Sequence, residues 1–349
     1  MTTFYKLRIE KIIRETSEAV TLCFAIPTDL KEKFVFIAGQ YINLQITLNN
    51  ETIRRSYSIC SGPNDQTLNV TVKAVKKGVF SEFANIYLKE GALVEVSVPE
   101  GRFNLPTSST NAKNYLGIAA GSGITPIMSM IKQVISNEPQ SKFVLLFGNK
   151  SPDKTIFFNE IENLKNKYPE QFFVSYVFSE QSIQNSYEGR IDETIINNLI
   201  QNKHSGLIFD QIYLCGPEPL IDLAKKVLKA NDFADTQIHF ELFTSSLKEN
   251  IVSSSSENCL AKVIVDNEIF EIDIQPGQTI LEAVLKAGID APYSCQGGVC
   301  STCLAKTSNG QSQMKKNTVL TDSEINSGLV LTCQAICKST SITVDYDDI

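Results

Sequence analysis

Histidine is almost absent from this chain. There are two in 349 residues, at positions 204 and 239, and neither belongs to a Glu-x-x-His pair. A carboxylate–histidine di-iron centre of the helical-bundle type, which needs such pairs, is excluded. No stretch approaches the ~18 consecutive apolar residues of a membrane-crossing helix. The opening, Met1-Thr-Thr-Phe-Tyr-Lys-Leu-Arg-Ile-Glu10, alternates like a strand and lacks the apolar core of a secretory signal. Positive charge is not in excess: 32 Lys and Arg against 39 Asp and Glu leave a net charge of −7, which argues against non-specific nucleic-acid binding. Nor is there a Gly-x-Gly-x-x-Gly dinucleotide fingerprint. The expectation is a cytoplasmic protein with neither nucleic acid nor membrane as partner, long enough for two or three domains.

Cysteine, by contrast, is plentiful and patterned. Four of the nine fall as Cys295-x4-Cys300-x2-Cys303 followed by a distant Cys333. This is the plant-type ligand spacing for a [2Fe–2S] cluster, with three thiolates on one loop and a fourth from elsewhere. Gly297 and Gly298 suit a loop whose backbone lies close to the sulfurs, and the Ser301 and Thr302 hydroxyls are local donors. A structural zinc site would usually pair its ligands as two C-x2-C units; the x4 spacing and the single last Cys argue against it. Cys337, four residues past Cys333, has no assigned role. A reducing compartment suits this cysteine usage.

Residues 1–107 read as a small antiparallel β-barrel, with short β-branched and aromatic runs broken by Gly39, Asn49-Asn50, Gly62-Pro63 and Gly91. Within it stand Arg54-Arg55-Ser56-Tyr57-Ser58, then Val72-Lys73, then Gly78-Val79-Phe80-Ser81 opening a helix expected from Ser81. Arg offers a bidentate phosphate contact, Tyr a stacking face, and a helix start an anion site. Residues 108–245 alternate apolar strands with helices, the pattern of a doubly wound parallel sheet. Its ligand-facing loops are Gly121-Ser-Gly123-Ile-Thr125-Pro126 and Cys215-Gly216-Pro217, at the carboxyl ends of strands. Asn149-Lys150, Glu180 and Arg190 are candidates near the nucleotide ribose, and His239-Phe-Glu241-Leu-Phe243 closes the domain. Residues 246–259, rich in Ser and Asn, read as a flexible linker. Residues 260–349 read as an α+β domain with a hairpin turning at Asp266-Asn267 and a helix from Thr279 to Gly288.

In this order, Arg-x-Tyr-Ser, Gly-x-x-Ser, Gly-x-Gly-x-Thr-Pro and Cys-Gly-Pro resemble the ferredoxin–NADP reductase superfamily. Pro292-Tyr-Ser-Cys295 through Thr332-Cys333-Gln334 resembles the β-grasp ferredoxins of plant type. The resemblance implies FAD, rather than FMN, held by Arg55, Ser56, Tyr57, Ser58, Val72, Lys73 and Gly78 to Ser81, with Phe243 stacking on the ring. It places NADPH or NADH at Gly121, Gly123, Thr125, Pro126, Asn149, Lys150, Arg190, Cys215, Gly216 and Pro217, with a lean to NADPH. Ser58, Cys215 and Glu241 become the catalytic candidates, and Cys295, Cys300, Cys303 and Cys333 the cluster ligands. The implied function is an electron-transfer reductase serving a separate protein acceptor, a di-iron oxygenase component first, or another oxygenase, hydroxylase or desaturase. A non-catalytic redox sensor is the contrasting reading. From Leu260 onward eleven Asp and Glu face six Lys, so an acidic docking face is expected.

Overall fold

The computed structural model describes residues 3–48, 50–181, 183–243 and 258–349. The chain divides into two compact units, one of Met1–Phe4, Arg54–Ser56 and Thr244–Ile349, the other of Tyr5–Ile53 and Tyr57–Phe243. The linker expected at 246–259 lies outside the described residues except for its last two.

The second unit begins with six strands: β1 (Phe4–Thr16), β2 (Ala19–Ala25), β3 (Tyr41–Leu48), β4 (Glu51–Ser58), β5 (Leu68–Lys73) and β6 (Leu93–Ser97). They pair in the order β4-β3-β6-β1-β2-β5, and a bridge from Ile59 to Val70 brings the two edges together. Alternate residues, among them Leu7, Ile9, Leu22, Ile42 and Val70, fill the barrel interior with no exposure, as the period of two requires. Helix α1 (Val79–Ile86) follows β5 and starts two residues earlier than expected, with Gly78 at its N-cap. The Ser81 oxygen accepts from Val75 N at 3.1 Å and its hydroxyl donates to Gly78 O at 3.1 Å, so Ser81 staples the turn from inside the helix.

A parallel sheet follows, built from β7 (Asn114–Ala120), β8 (Lys142–Asn149), β9 (Phe172–Phe178), β10 (Tyr187–Glu188), β11 (Gln211–Cys215) and β12 (Ile238–Glu241). Its order, β10-β9-β8-β7-β11-β12, makes the chain run outward in one direction from β7 and then return to its other side. The switch point therefore lies between β7 and β11, where ligands bind in such sheets. Helices α2 (Ile124–Asn137), α3 (Phe158–Lys167), α4 (Glu193–Asn197) and α5 (Glu218–Ala230) connect the strands. The central strands are apolar throughout because a parallel sheet is buried on both faces; Leu116, Ile118, Val144, Leu145 and Leu146 have no exposure. Helix α2 begins at Ile124, directly after a 3-10 turn at Gly121–Gly123, so Pro126 falls in its first turn, where its missing N–H costs nothing.

The C-terminal part of the first unit holds β13 (Cys259–Val265), β14 (Glu268–Ile274), α6 (Ile280–Lys286), β15 (Leu304–Ser308), β16 (Ser312–Met314), α7 (Asp322–Asn326), β17 (Leu329–Leu331), β18 (Ala335–Cys337) and β19 (Ser341–Asp345). Five strands run in the order β14-β13-β19-β15-β17, and β16 pairs with β18 apart from them. The β13–β14 hairpin turns at Asp266 and Asn267, both with positive φ (53° and 62°), the backbone of a two-residue turn matched to strand twist. Helix α6 opens on a capping box, in which Thr279 Oγ1 accepts from Glu282 N and the Glu282 carboxylate accepts from Thr279 N. Its apolar face, Ile280, Leu281, Ala283 and Val284, closes the domain core.

Candidate functional site

Parallel register decides which residues meet at the switch point. Cys215 lies opposite Ala119 on one side and Glu241 on the other. The β7, β11 and β12 strands thus deliver the Gly121 turn, Cys215 and Glu241 side by side. The two expected loops touch directly, since a Cβ on Gly123 would lie 2.1 Å from the carbonyl oxygen of Cys215. Gly216 has more room, its would-be Cβ 3.2 Å from Leu220 Cδ2 and 3.3 Å from Ala120 N. Thr125 is buried, with Oγ1 donating to Ser122 O at 3.1 Å, so it shapes the Gly turn.

The barrel contributes Ser58, buried at the end of β4, whose hydroxyl donates to Glu241 Oε2 at 3.4 Å. Burial pushes the Glu241 carboxyl up to about 8, although the Ser58 hydroxyl opposes the shift. Burial also raises the fully buried Cys215 thiol, and the Glu241 charge adds to this. Ser58, Cys215 and Glu241, three candidates far apart in sequence, are thus assembled, with a carboxyl able to hold or release a proton near neutral pH. Tyr57 lies beside Phe80, ring centroids 5.4 Å apart. Lys73 brings its Nζ to 4.0 Å from a would-be Cβ on Gly121.

Other expected residues are placed differently. Val72 has no exposure and its carbonyl accepts from Asn85 Nδ2 at 3.0 Å, so it serves the barrel core and offers no side chain to a ligand. The Ser81 hydroxyl is engaged in its own turn by Val75 N and Gly78 O, so what this turn has to offer a ligand is the first-turn N–H groups of α1. Arg55 is exposed, and its guanidinium donates to Arg54 O at 2.7 Å. Ser56 Oγ lies 2.6 Å from Ser294 Oγ within the first unit, so it points away from Tyr57 as strand alternation demands. Pro126 is buried in α2 and Val79 is exposed at the start of α1. Phe243 packs against the core of the parallel-sheet domain.

On the other side of β7, Asn149 ends β8 with a buried Nδ2 that has no hydrogen-bond partner, a donor suited to a ligand. Lys150 and Lys154 both reach Glu180, at 3.3 and 2.6 Å. The Lys154 contact, then that of Lys150, holds the Glu180 carboxyl below its ordinary value. Lys154 escaped the sequence reading; its signal is its place on a 3-10 turn just past Lys150. Arg190 is exposed in the bend after β10.

In the first unit the four thiols meet. Cys300 Sγ lies 3.0 Å from Cys295 Sγ, and Cys333 hydrogen-bonds both Cys295 and Cys303. The Cys300 and Cys333 thiols lower the Cys295 thiol, and Cys333 lowers that of Cys303. Gly297 N donates to Cys295 Sγ at 3.4 Å, and the Thr302 side chain hydrogen-bonds Cys300, as its position suggested. Gly298 has φ of 72°, and a Cβ there would meet the Gln334 side chain at 2.9 Å. The tie between the loop and the fourth Cys is a pair of bonds from Thr332, whose N and Oγ1 both donate to Cys303 O, at 3.0 and 2.9 Å. Among the described residues no three His, Cys, Asp or Glu side chains are grouped as ligands of one metal ion. A two-iron cluster shares its four thiolates between two centres, so its ligands need not converge on one point; the thiol chain 300–295–333–303 fits that group. Cys337 turns away, buried and hydrogen-bonded to Cys259.

Comparison with known proteins accounts for each part. Residues 6–105 match the oxidoreductase FAD-binding domain, 118–226 the oxidoreductase NAD-binding domain, and 263–338 the 2Fe-2S iron–sulfur cluster binding domain. A component of the 1,2-phenylacetyl-CoA epoxidase of Escherichia coli K12 is 35% identical over 99% of both chains. The chain belongs to the ferredoxin–NADP reductase superfamily, in the branch with a C-terminal plant-type ferredoxin domain. The ferredoxin reductase component of 3-ketosteroid-9-alpha-monooxygenase from Mycobacterium tuberculosis is 30% identical over 98% of this reductase and 96% of its own length. Phthalate dioxygenase reductase shares the fold, with a TM-score of 0.63 at 22% identity over 98% of each chain. The protein is thus an NAD(P)H-dependent FAD/[2Fe–2S] electron-transfer reductase. Its relatives include the reductase component of a ketosteroid monooxygenase and the reductase subunit of the glycine betaine monooxygenase of Pseudomonas aeruginosa, the latter 26% identical over 97% of this chain and 94% of its own length.

Proposed function

We propose that this reductase is the electron-supplying component of a phenylacetyl-CoA epoxidase-type system and that its acceptor is a separate di-iron oxygenase. The observation that carries the substrate class is full-length likeness to the Escherichia coli epoxidase component. Its support in the chain is the presence of a switch-point site and of four grouped thiols, three of them on one loop. When bound, NAD(P)H, FAD and the [2Fe–2S] group supply hydride transfer and its division into single electrons. The chain's own residues do the rest. In this reading the α1 N-terminus with Gly78 holds the flavin diphosphate, Arg55 a phosphate, and Tyr57 a ring face. The Gly121 turn, Thr125, Cys215 and Gly216 shape the nicotinamide pocket and exclude water from it. Ser58 and Glu241 hold a proton at the Glu241 carboxyl. Cys295, Cys300, Cys303 and Cys333 ligate the cluster.

NADPH is the donor we favour. Lys150 and Lys154 are the cations offered to a 2′-phosphate, and Glu180 tempers them. A reductase for a different oxygenase is the second reading, favoured by the ketosteroid-system relative at 30% identity. The test is direct: measure iron, acid-labile sulfide and flavin in purified protein, then NADPH and NADH oxidation coupled to the epoxidase oxygenase component. Product from phenylacetyl-CoA is expected. Bound zinc without flavin, or ferricyanide reduction with no delivery to that oxygenase, would overturn the respective parts.

A further inference from the structure

Half of the ferredoxin domain's lysines lie in one place. The six are Lys262, Lys286, Lys306, Lys315, Lys316 and Lys338. Lys315, Lys316 and Lys338 line a single cleft of 730 Å³, together with Gln311, Gln313 and Asn317 among others, and no carboxylate is among the lining residues. The cleft is walled by β16 and the residues on either side of it, by Lys338, and by Thr307 of β15, Ile325 of α7 and Val330 of β17. Acidic side chains gather elsewhere. Glu268, Glu271 and Asp273 sit on β14, one edge of the five-stranded sheet, whereas the cleft takes Thr307 of β15 and Val330 of β17, the two strands at the opposite edge. Asp345, Asp347 and Asp348 are occupied with the C-terminal turn: Asp345 accepts from the N–H groups of Asp347 and Asp348, Asp347 from Asp266 and Asn267, and Asp348 pairs with Lys306. Helix α7, whose Ile325 lines the cleft, also carries Asp322 and Glu324, and the Glu324 carboxylate accepts from Thr321 N at the start of that helix. Strand order therefore separates the charge of a domain whose net charge is negative.

The basic cleft is also joined to the cluster loop. Lys315 N donates to Gln334 O at 2.9 Å, and Gln334 neighbours Cys333 and hydrogen-bonds its sulfur at 3.7 Å. Thr318 Oγ1 donates to Gly298 O at 2.9 Å, and a Cβ on Gly298 would meet Lys316 O at 3.4 Å. A partner seated on these lysines is held by the same short backbone segments that hold Cys333 and the Cys295–Cys303 loop. We infer that this cleft is the docking site for an acidic surface segment of the electron-acceptor protein, and that the acceptor approaches the cluster from the basic side of an acidic domain. This inference rests on the reading of the chain as a reductase for a separate protein, and it reverses the sign of the docking face that net charge alone suggests. Opposed charge across the contact would steer encounter and fix orientation.

The test uses the full-length holoenzyme. A fluorescein-labelled deca-glutamate peptide is titrated by anisotropy at low and at physiological salt. Wild-type protein is expected to bind it, with weakening as salt screens the contact. The triple variant Lys315→Ala/Lys316→Ala/Lys338→Ala is expected to bind roughly five- to a hundredfold more weakly, the combined effect of three exposed charge pairs. The matching triple Lys→Arg variant should retain binding, and Lys262→Ala/Lys286→Ala should bind as wild type. With the purified oxygenase component as acceptor, the triple Ala variant should raise the acceptor KM and keep kcat. Equal peptide binding by wild-type and triple Ala protein, or an unchanged acceptor KM, overturns the inference. Peptide binding needs no turnover, so it is judged apart from the reductase reading, which fails instead if wild-type protein passes no electrons from NADPH to ferricyanide.

Discussion

Replacing Gly123 by Ala adds one methyl group to the point where the Gly121 turn and the Cys215 loop touch. Gly123 has an ordinary helical φ of −61°, so alanine carries no backbone strain there and the effect is purely steric. Its Cβ would stand 2.1 Å from Cys215 O, 2.5 Å from Cys215 C and 2.8 Å from Gly216 N, where contacts under 3.0 Å essentially do not occur. All three neighbours are backbone on a buried strand end, so no rotamer can give way. The Gly121 turn and the Cys215 loop must part by about 1 Å, and the overpacking should cost about 1–3 kcal/mol of stability. The larger expected effect is on hydride transfer, where a displacement of about 1 Å can slow the step by about a hundredfold. Anaerobic stopped-flow flavin bleaching by NADPH measures it directly, with dithionite reduction of flavin and cluster as the control. Slow bleaching by NADPH with normal dithionite reduction is the expected result. A bleaching rate within twofold of wild type would refute the claim that contact between these loops shapes the nicotinamide site.

Glu241 predicts a pH dependence. Its folded carboxyl titrates near 8 instead of its ordinary 4.5, so folding takes up a proton between those values and stability falls as pH rises across that window, levelling above it. Glu241→Gln should flatten the slope of Tm against pH between 5 and 8 in the apoprotein; an unaltered slope would remove Glu241 from the account. Cys300→Ser should spare flavin reduction by NADPH and abolish delivery to a protein acceptor. Cys337→Ser should keep its iron and sulfide, because Cys337 faces Cys259; iron and sulfide analysis with acceptor assays separates the two. Glu180→Gln should release Lys150 and Lys154 and raise the ratio of kcat/KM for NADPH over NADH by roughly three- to tenfold, an effect that salt diminishes. An unchanged ratio would place those lysines outside the nucleotide site.

Much of this was legible in the chain. The Cys295–Cys303 spacing, the Gly121–Pro126 turn, the Asp266-Asn267 hairpin and the Thr279 cap each depend on residues close in sequence, whose local geometry is set by their own types. The chain was harder to read where a side chain had two possible partners. Ser81 could bind an anion or close its own turn, and the turn is nearer. Val72 lies beside Lys73 on one strand, but alternation sends one into the barrel and the other to its rim. Lys154 stands close to Lys150 in sequence, but what marks it out, its contact with Glu180, joins the segments after two different strands.

What the sequence determined alone is the kind of chemistry: which residues can ligate iron, stack on a ring or cradle a phosphate, and in what order the three parts follow. Only tertiary structure decided which of them meet. Ser58, Cys215 and Glu241 become neighbours through the register of three parallel strands and the closure of a barrel. The charge of the ferredoxin domain, acidic as a sum, separates because strand order carries β14 and the Lys315–Lys338 cleft to opposite edges. A sum over residues contains no positions, and electrostatic recognition depends on positions.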